Sequence, residues 1–321
     1  FLEDAIELDV DALCDTEECY VGSVLEHIEE CGIHSGDSAC CWPPFSLSEK
    51  IVDQIRAITK KLALACGIRG LLNIQYAVRD EHVFVIELNP RASRTVPFSS
   101  KATGVSLAKY ASRIMAGEKI SELRAQGLLP DENRTVDYYA VKEAVMPWSR
   151  FPGADSILGP EMKSTGEVMG IARTFPAAYA KTREAVENKL PEQGSVFISV
   201  CDRDKRAIAP VAMALENLGY GIYTTGGTAK TLRAAGIDCT TVNRISDGHP
   251  NVVDLMRDKT VSFIINTPHG HEAHSDGTKM RAEAVSQGIT CVTAMSAATA
   301  LIQALAAARK SEPETFALQD L

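Results

Sequence analysis

The chain has 321 residues, 45% hydrophobic and 23% charged, with a formal net charge of −9. That length suits about two domains of ~100–200 residues, and the negative charge excludes a global attraction to nucleic acid or an anionic membrane surface, so phosphate ligands must be met by local basic groups and backbone N–H donors. No apolar run approaches the ~18 residues of a bilayer-spanning helix and no basic, apolar leader opens the chain; the expectation is a cytoplasmic protein, or one of the plastid stroma or mitochondrial matrix after processing.

Residues 1–14 alternate like a strand with the acids on one side, 15–18 form a turn, and 19–27 return as a second strand. The alternation starts without a cap or lead-in, so the domain is expected to begin upstream; a natural edge strand is the alternative. Residues 27–37 are polar and punctuated by glycine, which lets the backbone approach a ligand. From Ser48 to Cys66, Ile51, Ile55, Ile58, Leu62 and Ala65 recur at helical spacing, and Gly67 ends the helix.

Residues 74–78 and 83–88 are apolar, β-branched runs around Arg79-Asp-Glu-His82, which reads as an antiparallel hairpin. If it closes with Arg79 opposite Val83, Gln75 faces Glu87, and the period of two puts Asn89 on the same side. Two amide oxygens and a carboxylate then converge, hard ligands without sulfur or imidazole that suit Mg²⁺ or Mn²⁺ and leave positions open for phosphate oxygens and water. The alternative is a polar strand end beside a loop. Alternation fails around Glu87, so both faces of its run are expected to be buried; the carboxylate then needs a partner, which Arg91 and Arg94 can supply unless they hold phosphate.

One helix is expected over 99–117 with Leu107, Tyr110 and Ile114 inward, then a surface connection over 118–135, a strand over 136–145, and a helix and linker over 174–193. Beyond Gly194, short apolar runs at 196–200, 222–224, 261–265 and 290–293 alternate with helical stretches, the pattern of a parallel sheet with helices on both faces. Ligands bind past the carboxyl ends of such strands, where Thr224-Thr-Gly-Gly-Thr-Ala229 offers N–H groups and hydroxyls at a helix start. His269, His271 and His274 invite a zinc reading, but without a supporting carboxylate or cysteine frame an effector-loop role is preferred. The nine cysteines, without a repeated Cys-x-x-Cys frame, are expected to be reduced thiols.

Residues 73–104 resemble the metal-binding end of an ATP-grasp domain, specifically the second ATP-grasp module of the carbamoyl phosphate synthetase large-subunit family. The resemblance extends through Gly-Ile-His-Ser-Gly-Asp-Ser at 32–38, Leu-Gly-Pro-Glu-Met-Lys-Ser-Thr-Gly-Glu-Val-Met at 158–169, and the C-terminal third. It implies an α/β chain: a partial ATP-grasp domain (α+β, antiparallel sheet) over 1–172, a helix and linker over 173–193, and a methylglyoxal-synthase-like parallel-sheet α/β domain over 194–321.

The resemblance also implies roles. Leu2, Glu7, Gly32, Ile33, His34 and Ser35 would line ATP with Gln75 and Glu87; Gln75, Glu87 and Asn89 would bind the metal; Arg91 and Arg94 would act on the transferred phosphoryl group as ATP phosphorylates carbamate. Ser199, Lys205, Thr225, Thr228, Arg244, Asn266 and Thr267 would hold a nucleotide effector such as UMP or IMP, although Arg244 stands where lysine is common and Pro268 removes a hydroxyl and an N–H. Glu29, Asp37, Glu143 and Thr293 would form an ornithine-type effector site, with scattered surface acids as the alternative. The implied partners are the rest of the large subunit and a glutamine amidotransferase small subunit. A free-standing nucleotide sensor is the first rival reading; a lyase making methylglyoxal, using Asp202 and Asp204, is the second.

Overall fold

The alternation at the start of the chain becomes two antiparallel strands, β1 (Ile6–Asp15) and β2 (Cys19–His27). The computed structural model describes residues 4–186, 190–267, 274–310, 314–315 and 317–320. In chain order there follow β3 (Cys40–Trp42), α1 (Glu49–Ala65), β4 (Arg69–Arg79), β5 (His82–Asn89), α2 (Val96–Thr103), α3 (Leu107–Met115), α4 (Ile120–Ala125), β6 (Tyr139–Val145), β7 (Gly166–Ala172) and α5 (Phe175–Ala185). The strands form a seven-stranded sheet in the order β5-β4-β1-β2-β3-β6-β7.

β1 is therefore flanked on both sides, by β2 and β4. Its apolar residues Leu8, Val10, Ala12 and Cys14 join one core with Ile51, Val52 and Ile55 of α1. Along its other face run Glu7, Asp9 and Asp11, all buried, and burying three carboxylates in a row demands donors for every one of them. That demand organises the site described below.

The hairpin corrects the predicted register. Arg79 pairs with His82, not Val83, across a two-residue turn in which Asp80 and Glu81 both have positive φ, 48° and 62°, the twist that suits tight hairpins. The one-residue slip is cancelled by a bulge: Tyr76 faces Val85 and Gln75 faces Glu87, leaving Ile86 as the extra residue. β5 is also an edge strand, so the expectation of two buried faces fails; Phe84, Val85 and Ile86 are 42%, 46% and 47% exposed.

The helix predicted over 99–117 is two helices, because Gly104 takes the left-handed conformation (φ 70°) between α2 and α3. Residues 118–135 are not all surface connection either. α4 lies within them and docks through fully buried Ile120 and Leu123, while Asp15 Oδ2 accepts the Ile120 N–H at 2.7 Å.

The later strands are β8 (Ser195–Val200), β9 (Gly221–Thr225), β10 (Thr240–Val242), β11 (Phe263–Thr267) and β12 (Thr290–Val292), in a parallel sheet ordered β10-β9-β8-β11-β12. Between and after them lie α6 (Lys205–Asn217), α7 (Gly226–Ala234), α8 (Val252–Arg257), α9 (His274–Gln287) and α10 (Met295–Ala308). The three-residue β10 was not anticipated from the sequence, and the strand expected over 261–265 sits two residues later, which brings Asn266 and Thr267 into the strand end. Internal contacts group Phe1–Ala144, Gly159–Thr182 and Pro313–Leu321 in one unit, and Val145–Leu158 with Arg183–Glu312 in the other. Among the described residues, no helix is long and apolar enough to cross a membrane.

Candidate functional site

In the first unit, β1, β4 and β5 turn Glu7, Asn73, Gln75 and Glu87 into a cavity of about 850 Å³, closed by residues 31–35 on one side and 91–94 on the other. The predicted residues Glu7, Gly32, Ile33, His34, Ser35, Gln75, Glu87, Arg91 and Arg94 all line it. Leu2 lies outside the described residues. Asn89 stands beside the cavity wall: its Nδ2 donates to Glu87 Oε1 at 2.7 Å, which fixes both side chains and leaves Glu87 Oε2 and Asn89 Oδ1 for other partners.

One feature corrects the sequence reading of Glu87: it is exposed rather than buried. Among the described residues no ion pair joins it to Arg91 or Arg94, which leaves phosphate as the other role read for the arginines. The arginines are therefore available to an anion, although Arg94 Nη1 reaches the Met162 sulfur. Among the described residues no group of three or more His, Cys, Asp or Glu is arranged to hold a metal. One carboxylate among amide oxygens fits a hard divalent ion whose remaining ligands are phosphate oxygens and water, and does not fit a self-sufficient protein site.

The loop over the cavity is fixed from beneath. Glu7 Oε2 accepts the Gly32 N–H at 2.7 Å, His34 Nδ1 accepts the Gly36 N–H at 2.9 Å, and buried Lys142 donates to the Ser35 carbonyl at 3.0 Å. Deeper in, Asp9 and Asp11 have opposite fates on one strand. Burial pushes the Asp9 carboxyl up, but hydrogen bonds from His27 (2.8 Å) and Asn73 (2.9 Å) and the nearby charges of His27 and Lys142 hold it below the usual range. Burial raises Asp11 above that range despite its hydroxyl donors.

Asn73 was not singled out as a site residue by the sequence reading. Its amide nitrogen is committed to Asp9 and Asp11, so the oxygen is the atom left for the cavity. The signal was its position two residues before Gln75 on the same strand face.

Cys31 also lines the cavity, and its thiol is pushed up to about 11 by burial and then by the charge of Glu7. At pH 8 we expect iodoacetamide to alkylate it ~10²-fold more slowly than free glutathione, because the thiolate is the nucleophile. Peptide mapping should show the rate climbing about tenfold per pH unit up to pH ~10; a flat profile would contradict the raised thiol.

The four residues read as an ornithine-type site are divided between the two units. Glu29, Asp37 and Glu143 belong to the first unit, and Thr293, just past β12, to the second. Asp37 accepts the N–H groups of Lys163 (2.7 Å) and Ser164 (2.9 Å), and Glu143 accepts the Thr182 hydroxyl at 3.0 Å.

In the second unit Ser199, Lys205, Thr225, Thr228, Arg244, Asn266 and Thr267 all line a second cavity, of about 640 Å³, past the carboxyl ends of β8, β9 and β11. Asn266 Nδ2 donates to the Ser199 carbonyl at 2.9 Å, and its Oδ1 accepts from Arg281 at 3.3 Å. Arg281, fully buried, is held by Asp155 through both Nε and Nη2, the latter at 2.7 Å. Neither residue stood out in the sequence, since an arginine in a polar helix and an aspartate in a loop carry no periodic signal. Asp202 is paired with Lys205, and Asp204 accepts from Arg203 at 3.1 Å. Pro268, His269 and His271 lie outside the described residues, as does the side chain of His274.

Residues 1–123 match the family described as carbamoyl-phosphate synthase L chain, ATP binding domain, and residues 207–293 match the MGS-like domain. The chain thus joins an ATP-binding-domain module to an MGS-like one, in a mixed α/β architecture. It is 47% identical over 320 residues to the carbamoyl phosphate synthase large chain of Acidobacterium capsulatum, covering 99% of this chain and 29% of that protein. With the large chain of Pasteurella multocida the identity is 46% over 322 residues, covering 100% of this chain and 30% of the relative. The chain is a relative of the carbamoyl phosphate synthase large chains along its whole length, and spans under a third of theirs. Among solved structures, the biotin carboxylase domain of a single-chain bacterial carboxylase matches at TM-score 0.45 and 16% identity, over 57% of this chain and 47% of that one.

Proposed function

We propose that the first unit supplies the metal-binding wall of a site that phosphorylates carbamate with ATP, giving carbamoyl phosphate and ADP. The observation that carries this reading is the pairing of Gln75 with Glu87 on one face, beside two arginines free of carboxylate partners, on the wall of a cavity roofed by residues 32–35. In the reaction a carbamate oxygen forms the new bond to the γ-phosphorus as the bond to the ADP oxygen breaks. Gln75, Glu87 and Asn89 would hold Mg²⁺ or Mn²⁺, which offsets phosphate charge when bound. Arg91 and Arg94 meet the charge that develops on the transferred group, and Glu7 with residues 32–35 orients the nucleotide.

The second unit is read as a regulatory nucleotide site. Hydroxyls from Ser199, Thr225, Thr228 and Thr267, the cations Lys205 and Arg244, and the start of α7 suit a monophosphate such as UMP or IMP. The further partners would be the rest of a large chain, a glutamine amidotransferase small subunit and ornithine, in arginine and pyrimidine biosynthesis. The domains are read as 1–172 and 194–321 with a linker between, and residues 1–321 alone are read as inactive.

The test is ATP formation from ADP and carbamoyl phosphate by the full-length protein, the reverse of the proposed step. No ATP above background would overturn the reading. Calorimetry on residues 1–321 addresses the nucleotide-sensor rival: UMP or IMP binding, with a full-length protein that makes no ATP, would favour it.

A further inference from the structure

The segment carrying the two arginines has almost no backbone support. Between β5 and α2, Pro90 to Thr95 form no strand or helix, and the backbone bonds that bracket them are Arg91 N–H to the Asn89 carbonyl (2.8 Å) and Ser99 N–H to the Thr95 carbonyl (2.8 Å). Arg91 and Arg94 are exposed, while Thr95 and Ser99 are buried.

What fixes this segment is one side chain on β1. Asp11 Oδ1 accepts from Ser93 Oγ at 2.6 Å and Asn73 Nδ2 at 3.1 Å; Oδ2 accepts from Thr95 Oγ1 at 2.6 Å and Ser99 Oγ at 2.9 Å. Both neighbours of Arg94 are thus tied to the same carboxylate, and their hydroxyls also meet each other at 2.7 Å. Three of the four acceptor bonds of this central sheet residue go to the loop and to the helix it leads into, and one goes to the neighbouring strand, so the carboxylate holds that segment against the sheet.

We propose that Asp11 is the positioning residue for the arginine-bearing segment, holding residues 93–99 so that Arg91 and Arg94 meet the phosphoryl group, and orienting the Asn73 amide with the same carboxylate. Alanine removes every one of these acceptor bonds. Asparagine keeps one acceptor oxygen and forces hydroxyls to turn toward its amide.

The inference rests on the phosphoryl-transfer reading above, and its test has one arm that does not. In the full-length protein, Asp11→Asn should lower kcat for ATP formation from ADP and carbamoyl phosphate by ~10²-fold, since a small misplacement of a charge-bearing group costs about that much. KM for ADP should stay within about a factor of two, because residues 32–35 and Glu7 are untouched. Ser93→Ala, which leaves the carboxylate in place, should move kcat the same way by less, and carries the test if Asp11→Asn does not fold. Hydrogen exchange read by mass spectrometry should show faster amide exchange confined to residues 90–99. Exchange unchanged there, or accelerated equally across the sheet, overturns the proposal. So does a raised KM for ADP at constant kcat. If the wild-type protein makes no ATP, the phosphoryl-transfer reading falls, and the exchange pattern still decides whether Asp11 holds the segment.

Discussion

Replacing Glu87 with alanine in the full-length protein should reduce ATP formation from ADP and carbamoyl phosphate at least ~10³-fold, the scale set by losing a charge-stabilising group from a preorganised site. The size follows from what else the cavity offers. Its other acidic lining residue is Glu7, already engaged by the Gly32 N–H at 2.7 Å; amides at Asn73, Gln75 and Asn89 bring oxygens without charge. Losing Glu87 also frees Asn89 Nδ2 from its 2.7 Å acceptor, so a second ligand position loosens. Glu87→Gln keeps the shape and removes the charge, and should fall between alanine and wild type. Because Glu87 is exposed on an edge strand, folding stability should change by no more than ~0.5 kcal/mol, as for most surface positions, so a unit that still melts normally but has lost turnover separates chemistry from folding. Unchanged turnover would reject the assignment.

Asp155→Ala should destabilise the second unit by ~3–5 kcal/mol, the cost of stripping the partner from a buried charge. The reason is Arg281, which is 0% exposed and, among the described residues, would be left with only Asn266 Oδ1 at 3.3 Å and Thr278 Oγ1 at 3.5 Å. Replacing both members, as Asp155→Leu with Arg281→Met, should cost clearly less than Asp155→Ala alone, since no charge is then buried unpaired. Urea unfolding followed by a probe in that unit would measure this, and a double variant as unstable as the single one would contradict it. The pH dependence has a definite sign. Burial raises the Asp155 carboxyl, but the Arg281 hydrogen bonds, the Ile157 N–H and the Arg281 charge bring it below the ordinary value of 3.8. A carboxylate lowered on folding contributes stability above its unfolded value that is lost as pH falls through the folded one. The gap between wild type and Asp155→Asn should therefore be full at neutral pH and shrink below pH 3.8. Because Asn266 lines the effector-type cavity and bonds Arg281, the same variants should weaken UMP or IMP binding if that cavity holds them.

What the sequence determined by itself was whatever repeats along contiguous residues. The alternation of β1, the three-and-four spacing of Ile51, Ile55, Ile58 and Leu62 in α1, and the strand-helix alternation after Gly194 are local records of which side faces a core. Strand-end logic likewise gathers Ser199, Thr225, Asn266 and Thr267 at one cavity. Only the tertiary structure decided the rest. The hairpin slips by one residue and recovers it at Ile86, a balance between turn geometry and a buried face that no window of β5 alone encodes. β5 is an edge because nothing in the described residues pairs beyond it, so its apolar run lies exposed where its composition suggested burial. Asp11 finds Ser93, Thr95 and Ser99 more than 80 residues away in sequence, and Arg281 meets Asp155 across a separation of 126, because the fold and not the local sequence brings those segments together. Side-chain periodicity reports the environment of a face; the partners of a buried charge are chosen by the free energy of the assembled fold, and those partners are scattered along the chain.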